Sequence, residues 1–452
     1  MYSNIPVTTE FSDAEPMDNT AATLPAITPR WWTGKAVDEV AYAEDFLSQH
    51  PMKCLNDELF DYDGKVTNLN VLKSLILEQI KPYVRMNIMF RVNKLVDTIK
   101  GICNVETLEE DCLAINLANG TYNCAKSEEE RFSPDKQICR YRLPIEYQPD
   151  PKPPVLFTKF LCDLFYEEDI PTIQEYVGYC LLPLTDAQKM LLIIGRGGEG
   201  KSTFGNLLLG MFGSAALNGS LHSLEATRFN TAELEHKLLM IDDDMKLDAL
   251  PSTNKIKTIV TAQEKIMVEK KGIQPYPATV YSRLIGLGNY ALESFNDSSA
   301  GFFRRQIIIR TKDAVKGRVS DPFMLSHLRT ELPAIFLWAV EGLMRLLSNN
   351  FQFTLSDRAK NNLAEVMLEA NNIPDFIHDP ILELGSYNQV SSTELYQTYR
   401  NWCENNGEES QSRRRFTKFL KESGGRYGIQ YSRSVNSGNA YVRGFIGVKV
   451  KA

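Results

Sequence analysis

The chain has 452 residues, 43% of them apolar and 24% charged, an ordinary globular composition with length for about two to four domains. No apolar stretch reaches the length of a membrane span and no basic-then-apolar leader opens the chain, so a membrane partner and secretion are not expected. The net charge of −7 argues against a uniformly basic protein, yet residues 411–452 carry ten basic residues against the single acid Glu422, a local footprint that the total conceals.

Residues 1–30 are polar, hold Pro6, Pro16, Pro25 and Pro29, and show no apolar period; a disordered tail is expected. Residues 31–154 read as a mostly helical N-terminal domain closed by the proline-rich linker Pro149-Asp150-Pro151-Lys152-Pro153-Pro154. Amphipathic spacing predicts helices over 71–77 and 90–96, and Asn119-Gly120 predicts a hairpin turn within 114–122. Cys103, Cys112, Cys124 and Cys139 fall in this region, but irregular spacing and the lack of an intervening His favour reduced thiols over zinc.

Residues 155–347 carry the strongest signal. The apolar run 190–194 reads as a buried strand, 203–212 as a helix, and between them stands Gly195-Arg196-Gly197-Gly198-Glu199-Gly200-Lys201-Ser202. A strand feeding a glycine turn that opens a helix aims backbone N–H groups at one point. This is the phosphate-binding loop pattern, with residues through Thr203 cradling a nucleoside triphosphate, Lys201 reaching its β- and γ-phosphates and Ser202 holding Mg²⁺. Further strand-like runs at 238–241, 283–287 and 306–309, separated by helical or looped stretches, predict an α/β layered sheet. Asp242-Asp243-Asp244 follows the first of these runs; Asp242 is the expected Mg²⁺ holder, and Asp243 the further ligand and water-activating base, with Asp244 a one-place shift. Asn289, just past the run 283–287, suits a sensor of the γ-phosphate and the attacking water. Arg304 and Arg305, before the last run, suit a charge reaching a neighbouring subunit's site. The alternating stretch 264–272 predicts a hairpin bearing Lys265, Lys270 and Lys271, fit for a phosphate backbone.

After a connector at 348–372, residues 373–452 read as three helices and a β-hairpin. Ser391-Ser392-Thr393-Glu394 is a capping box opening the second helix. Arg413, Arg414, Arg415 and Lys418 lie on the third, and Asn436-Ser437-Gly438-Asn439 turns the hairpin. Three helices and a two-stranded wing describe a winged-helix DNA-binding domain.

The order of glycine loop, acidic strand end, lysine hairpin, strand-end Asn and Phe303-Arg304-Arg305 resembles the superfamily 3 DNA helicases. The likeness is to the family of phage and plasmid primase C-terminal halves and the poxvirus primase-helicase. The stretch from Phe160 to Leu181 and the run from Leu395 to Trp402 are similar to family landmarks. The sequence departs from the pattern around Ala262-Gln263 and at Tyr290-Ala291, where the Pro expected after Asn289 is absent. The resemblance implies an AAA+-like P-loop ATPase core of a phage or mobile element, working with ATP and Mg²⁺ as a homo-hexamer on single- and double-stranded DNA, with a cytoplasmic location that is the host's if a phage encodes it. Lys201, the Asp242–Asp244 cluster, Asn289 and the two arginines would serve hydrolysis. The N-terminal region is short and lacks an acidic triad for priming, so a separate primase or polymerase is expected. The competing expectation is a replication initiator that binds ATP with little unwinding. A GTPase is disfavoured because Asn254-Lys255-Ile256-Lys257 lacks the base-reading Asp.

Overall fold

The computed structural model describes residues 28–451 except 109, 228, 246–249, 251, 263, 293–299, 315–320, 370–371, 409 and 438–439. The expected tail up to residue 27, Gln263 and the tip of the C-terminal hairpin lie outside the described residues. The chain divides into two compact units, Met1–Glu109 with Ile138–Arg140, and Glu110–Gln137 with Tyr141–Ala452. Among the described residues no helix is long and apolar enough to cross a membrane.

The first unit packs the helices Glu39–Gln49, Leu69–Ile80 and Ile88–Ile102 with a small antiparallel sheet of Lys53–Leu55, Glu58–Asp61 and Gly64–Lys65. Asp38 caps the first helix by accepting from the Ala41 N–H at 3.1 Å, and Asn68 caps the second on Asn70 at 3.0 Å. Leu72, Ile76 and Ile80 recur at helical spacing and meet Val92, Leu95, Val96 and Ile99 around Trp31, Tyr42 and Phe46. That shared face is why the two amphipathic runs become helices.

The second unit is mixed α/β, built on a five-stranded sheet with all pairs parallel. Its order is Gln306–Arg310, Met190–Ile194, Arg283–Gly288, Leu239–Asp242 and Ala216–Asn218. The three inner strands are buried at every residue, so apart from Arg283 and Asp242 at strand ends their sequences are apolar without alternation. The edge strand Ala216–Asn218 is half exposed and carries too few apolar residues to be read in advance. Helix Leu332–Ser348 lies against Ile170–Tyr179; a Cβ on Gly178 would come within 2.3 Å of the Ala339 carbonyl oxygen, so the two backbones touch there. Near the start of this unit, Ala114–Leu117 pairs with Gly120–Asn123, with Leu117 opposite Gly120. The turn is therefore Ala118-Asn119, one place before the expected Asn-Gly.

At the C-terminus the helices Ile373–His378, Ser392–Asn405 and Arg413–Ser423 share a core with a three-stranded antiparallel sheet ordered Leu382–Ser391, Ala440–Val450, Gln430–Ser437. Ser391 Oγ accepts from the Glu394 N–H at 3.1 Å, the first half of the capping box. The strand Leu382–Ser391 is additional to the expected hairpin. Its exposed middle, including Tyr387, lacks an apolar alternation that would mark it.

Candidate functional site

A cleft of ≈ 470 Å³ lies at the carboxyl edge of the parallel sheet, where the glycine loop, Asp243, Asp244 and Asn289 meet. The strand Met190–Ile194 runs into the loop, and helix Lys201–Phe212 begins directly after it. Gly197, Gly198 and Gly200 hold φ of 108°, 82° and 117°. A side chain would strain that left-handed backbone, and a curl of this kind aims successive N–H groups at a common point. Residues Gly197, Gly198, Glu199, Gly200, Lys201, Ser202 and Thr203 all line the cleft. Gly195 and Arg196 do not: a Cβ on Gly195 would lie 2.1 Å from Thr311 Oγ1, and exposed Arg196 faces Asp313 at 3.6 Å.

Lys201 is buried, and its Nζ donates to Glu199 Oε2 at 2.9 Å; the Gly197 N–H donates to Glu199 Oε1 at 2.7 Å. Burial pushes the Glu199 carboxyl up. Bonds from Lys201, from its own amide and from the Gly197 amide, with the Lys201 charge, outweigh burial and hold it below the usual carboxylate range.

The acidic cluster divides in a way its sequence does not reveal. Asp242, expected to hold Mg²⁺, is 4% exposed and its Oδ2 accepts from the Leu221 N–H at 2.7 Å; it does not line the cleft. It is the last residue of its strand, so pleating sends its side chain to the face opposite that of its successor. Burial raises its pKa, opposed by the Leu221 and Asp244 amides and aided by the charges of Asp244 and Asp243. Asp243 and Asp244 are the carboxylates in the cleft, and Asp243 Oδ1 is buried with no hydrogen-bond partner among the described residues. An orphaned carboxylate oxygen is costly unless a cation meets it. With the Ser202 hydroxyl also in the cleft, the donor set is all oxygen, which suits a hard divalent cation such as Mg²⁺.

Beside Gly288, the walls include Phe160, Ala314, Asp321 and Met324. None was expected as a cleft residue: Phe160 was only the start of a landmark stretch, and the other three come from segments far along the chain with no local motif. Arg304 and Arg305 lie elsewhere, before the strand Gln306–Arg310, whose opposite end reaches the cleft side at Thr311. Five strand residues put them about 17 Å from their own cleft. Arg304 is exposed, while Arg305 is half buried and donates to the Gly301 carbonyl. Lys189 donates to the Arg304 carbonyl; burial first, then the Arg304 and Arg305 charges, hold its ammonium below its ordinary range. Lys189, Arg304 and Arg305 thus cluster at this end of the sheet.

The stretch 264–272 supplies only the first strand of the lysine hairpin, Ile266–Val268, which pairs with Tyr276–Ala278 beyond it. Lys270 and the Tyr276 hydroxyl both donate to Glu235 Oε2, each at 2.7 Å, so Lys270 clamps the hairpin rather than projecting from it. Lys265 and Lys271 are exposed, Lys271 at the tip. On helix Arg413–Ser423, Arg413, Arg414, Thr417, Lys418 and Lys421 border one shallow groove, with Phe416 and Leu420 buried behind; Arg415 belongs to the same helix. Arg413 also donates to Thr393 Oγ1 at 2.7 Å, and Lys421 lies 4.0 Å from the Tyr431 ring centre.

Two family models match parts of the chain. "Family of unknown function (DUF5906)" covers residues 193–305, from the strand before the glycine loop to the arginine pair. "Poxvirus D5 protein-like" covers residues 368–431, including the basic helix. No curated protein matches. Among solved structures, an apo structure of the NrS-1 C-terminal region is 13% identical, covering 91% of this chain and 99% of that one, with a TM-score of 0.50. Its A-form apo structure is 12% identical, covering 90% and 98%, with a TM-score of 0.48. The chain is thus similar in fold to the NrS-1 C-terminal region, and residues 368–431 match the poxvirus D5 protein-like family model.

Proposed function

We propose that the protein is an ATP-dependent replicative DNA helicase that works as a ring of six copies. The observation that carries the reading is the convergence of Lys201, Ser202, Asp243, Asp244 and Asn289, spread over 89 positions of sequence, in one cleft at the carboxyl edge of a parallel sheet. Ligands of α/β sheets bind at that edge. In this reading the loop amides and Lys201 hold the β- and γ-phosphates of ATP. Ser202 and the orphaned Asp243 carboxylate hold Mg²⁺, which when bound draws off phosphate charge. Asp244 orients water and accepts its proton, while Asn289 fixes the water relative to the γ-phosphate. The two metal and base roles thus sit one place later than the sequence suggested.

The phosphate-binding loop is then the core of an AAA+-like P-loop ATPase domain over residues 155–347, and residues 373–452 are a winged helix holding DNA by charge. The likeness to the poxvirus D5 protein over 368–431 supports a role in viral or phage replication. Arg304, too far from its own cleft, serves the cleft of the next subunit, which makes hydrolysis depend on assembly.

The test combines ATPase rate, with and without single-stranded DNA, and strand displacement on a forked duplex. Stimulated hydrolysis and displacement in the wild-type protein, both abolished in Lys201→Ala, are expected. Hydrolysis without displacement would favour the initiator reading; hydrolysis at the wild-type rate in Lys201→Ala would remove the cleft from consideration.

A further inference from the structure

Glu199 stands inside the glycine loop in an unusual electrostatic position. It is 2% exposed and bonded to both the Gly197 N–H and the Lys201 Nζ, the second of which the proposed reading assigns to an incoming triphosphate. The backbone makes room for it: a Cβ on Gly195 would fall 2.9 Å from Glu199 Oε1, so only a glycine there lets the carboxylate tuck against the loop. A buried carboxylate beside the lysine that must meet several phosphate charges opposes them at short range, in surroundings where screening by water is weak. A loop shaped only to hold phosphate has no need of that charge.

We infer that Glu199 is an internal competitor for Lys201, a built-in anion that holds the lysine until a triphosphate draws it away. The inference rests on the reading of the cleft as a nucleotide site. In the empty loop the carboxylate satisfies a lysine that would otherwise be a buried, unpaired cation, so the loop is ordered before ligand arrives. On binding, the ammonium exchanges its carboxylate partner for phosphate oxygens, while the carboxylate retains the Gly197 amide. The exchange costs affinity for ligands that reach Lys201 and speeds release once the terminal phosphate has gone. Only ligands reaching Lys201 with β- and γ-phosphates feel the competition in full. Glu199 is therefore a positioning residue that sets affinity according to phosphate number.

The test measures dissociation constants for fluorescently labelled ATP and AMP on the full-length wild-type protein, Glu199→Gln, Glu199→Ala and Lys201→Ala, beside melting curves without ligand. Removing the competing charge is expected to tighten ATP binding about tenfold. The gain for ATP should clearly exceed the gain for AMP, and the ligand-free melting temperature should fall as Lys201 loses its partner. Glu199→Ala carries the same sign should Glu199→Gln fail to fold. If wild-type protein binds ATP and Lys201→Ala does not, while neither Glu199 variant binds ATP more tightly, the competitor role is overturned and the nucleotide site stands. An equal gain for ATP and AMP also overturns it, since that marks a general loosening of the loop. If wild-type protein and Lys201→Ala bind ATP equally poorly, the nucleotide reading itself falls and the inference with it.

Discussion

Adjacent residues of one type divide their work by where their strand stops. Asp242 ends the strand Leu239–Asp242 and fastens Leu221, while Asp243 and Asp244, past it, enter the cleft. Asp243→Asn is expected to keep nucleotide binding and lose turnover by about a hundredfold or more, since charge toward the metal is lost and shape is kept. Asp242→Ala should act on folding instead: the buried Leu221 N–H loses its acceptor, at about 1–3 kcal/mol. Denaturant titration beside ATPase kinetics checks both. A stable, inactive Asp242→Ala together with an active Asp243→Asn would reverse the assignment.

At the scale of elements, the hairpin assigns its lysines opposite tasks. Lys270 is held by Glu235 together with the Tyr276 hydroxyl, whereas Lys271 projects at the tip. Lys271→Ala is expected to weaken single-stranded DNA binding and reduce the slope of log affinity against log salt by about 0.7, the share of one single-strand phosphate contact. Lys270→Ala should chiefly lower hairpin order, seen as faster amide exchange in its strands. Binding isotherms at several salt concentrations separate the two variants, and an unchanged slope in Lys271→Ala would exclude a phosphate contact there. The C-terminal element carries a core of its own, in which Phe376, Tyr399, Trp402 and Phe416 meet. Deleting residues 373–452 should therefore weaken duplex binding far more than basal ATPase, as filter binding and phosphate release would measure. Equal duplex affinity in the shortened protein would remove the basic helix as the anchor.

For the molecule as a whole, the arginine pair and the cleft stand at opposite ends of the sheet. One chain cannot bring them together, so the arginine role proposed above requires a second copy. Arg304→Ala is expected to bind ATP nearly normally and to hydrolyse it about a thousandfold more slowly. Mixed with Lys201→Ala, it should regain part of the activity, because some interfaces then pair an intact loop with an intact arginine. Turnover per chain that stays constant on dilution to a proven monomer would exclude this arrangement.

Much of this was written in local residue patterns. Apolar runs marked the inner strands because strands buried on both faces need no alternation, and three left-handed glycines before Lys201 marked the loop because few other residues tolerate that backbone. The capping box at Ser391 and the basic run at Arg413 were legible for the same reason: each works within a few residues of chain. Tertiary structure decided what depends on where separate segments arrive. It set which aspartates face the cleft, tied Lys270 to Glu235, and brought Phe160 and Met324 to the walls. It also gave the exposed strand Leu382–Ser391 a partner in Ala440–Val450. Local sequence encodes backbone preference and burial period, whereas the direction of a side chain at a strand end, and the identity of its partner, are set by packing between segments distant in sequence.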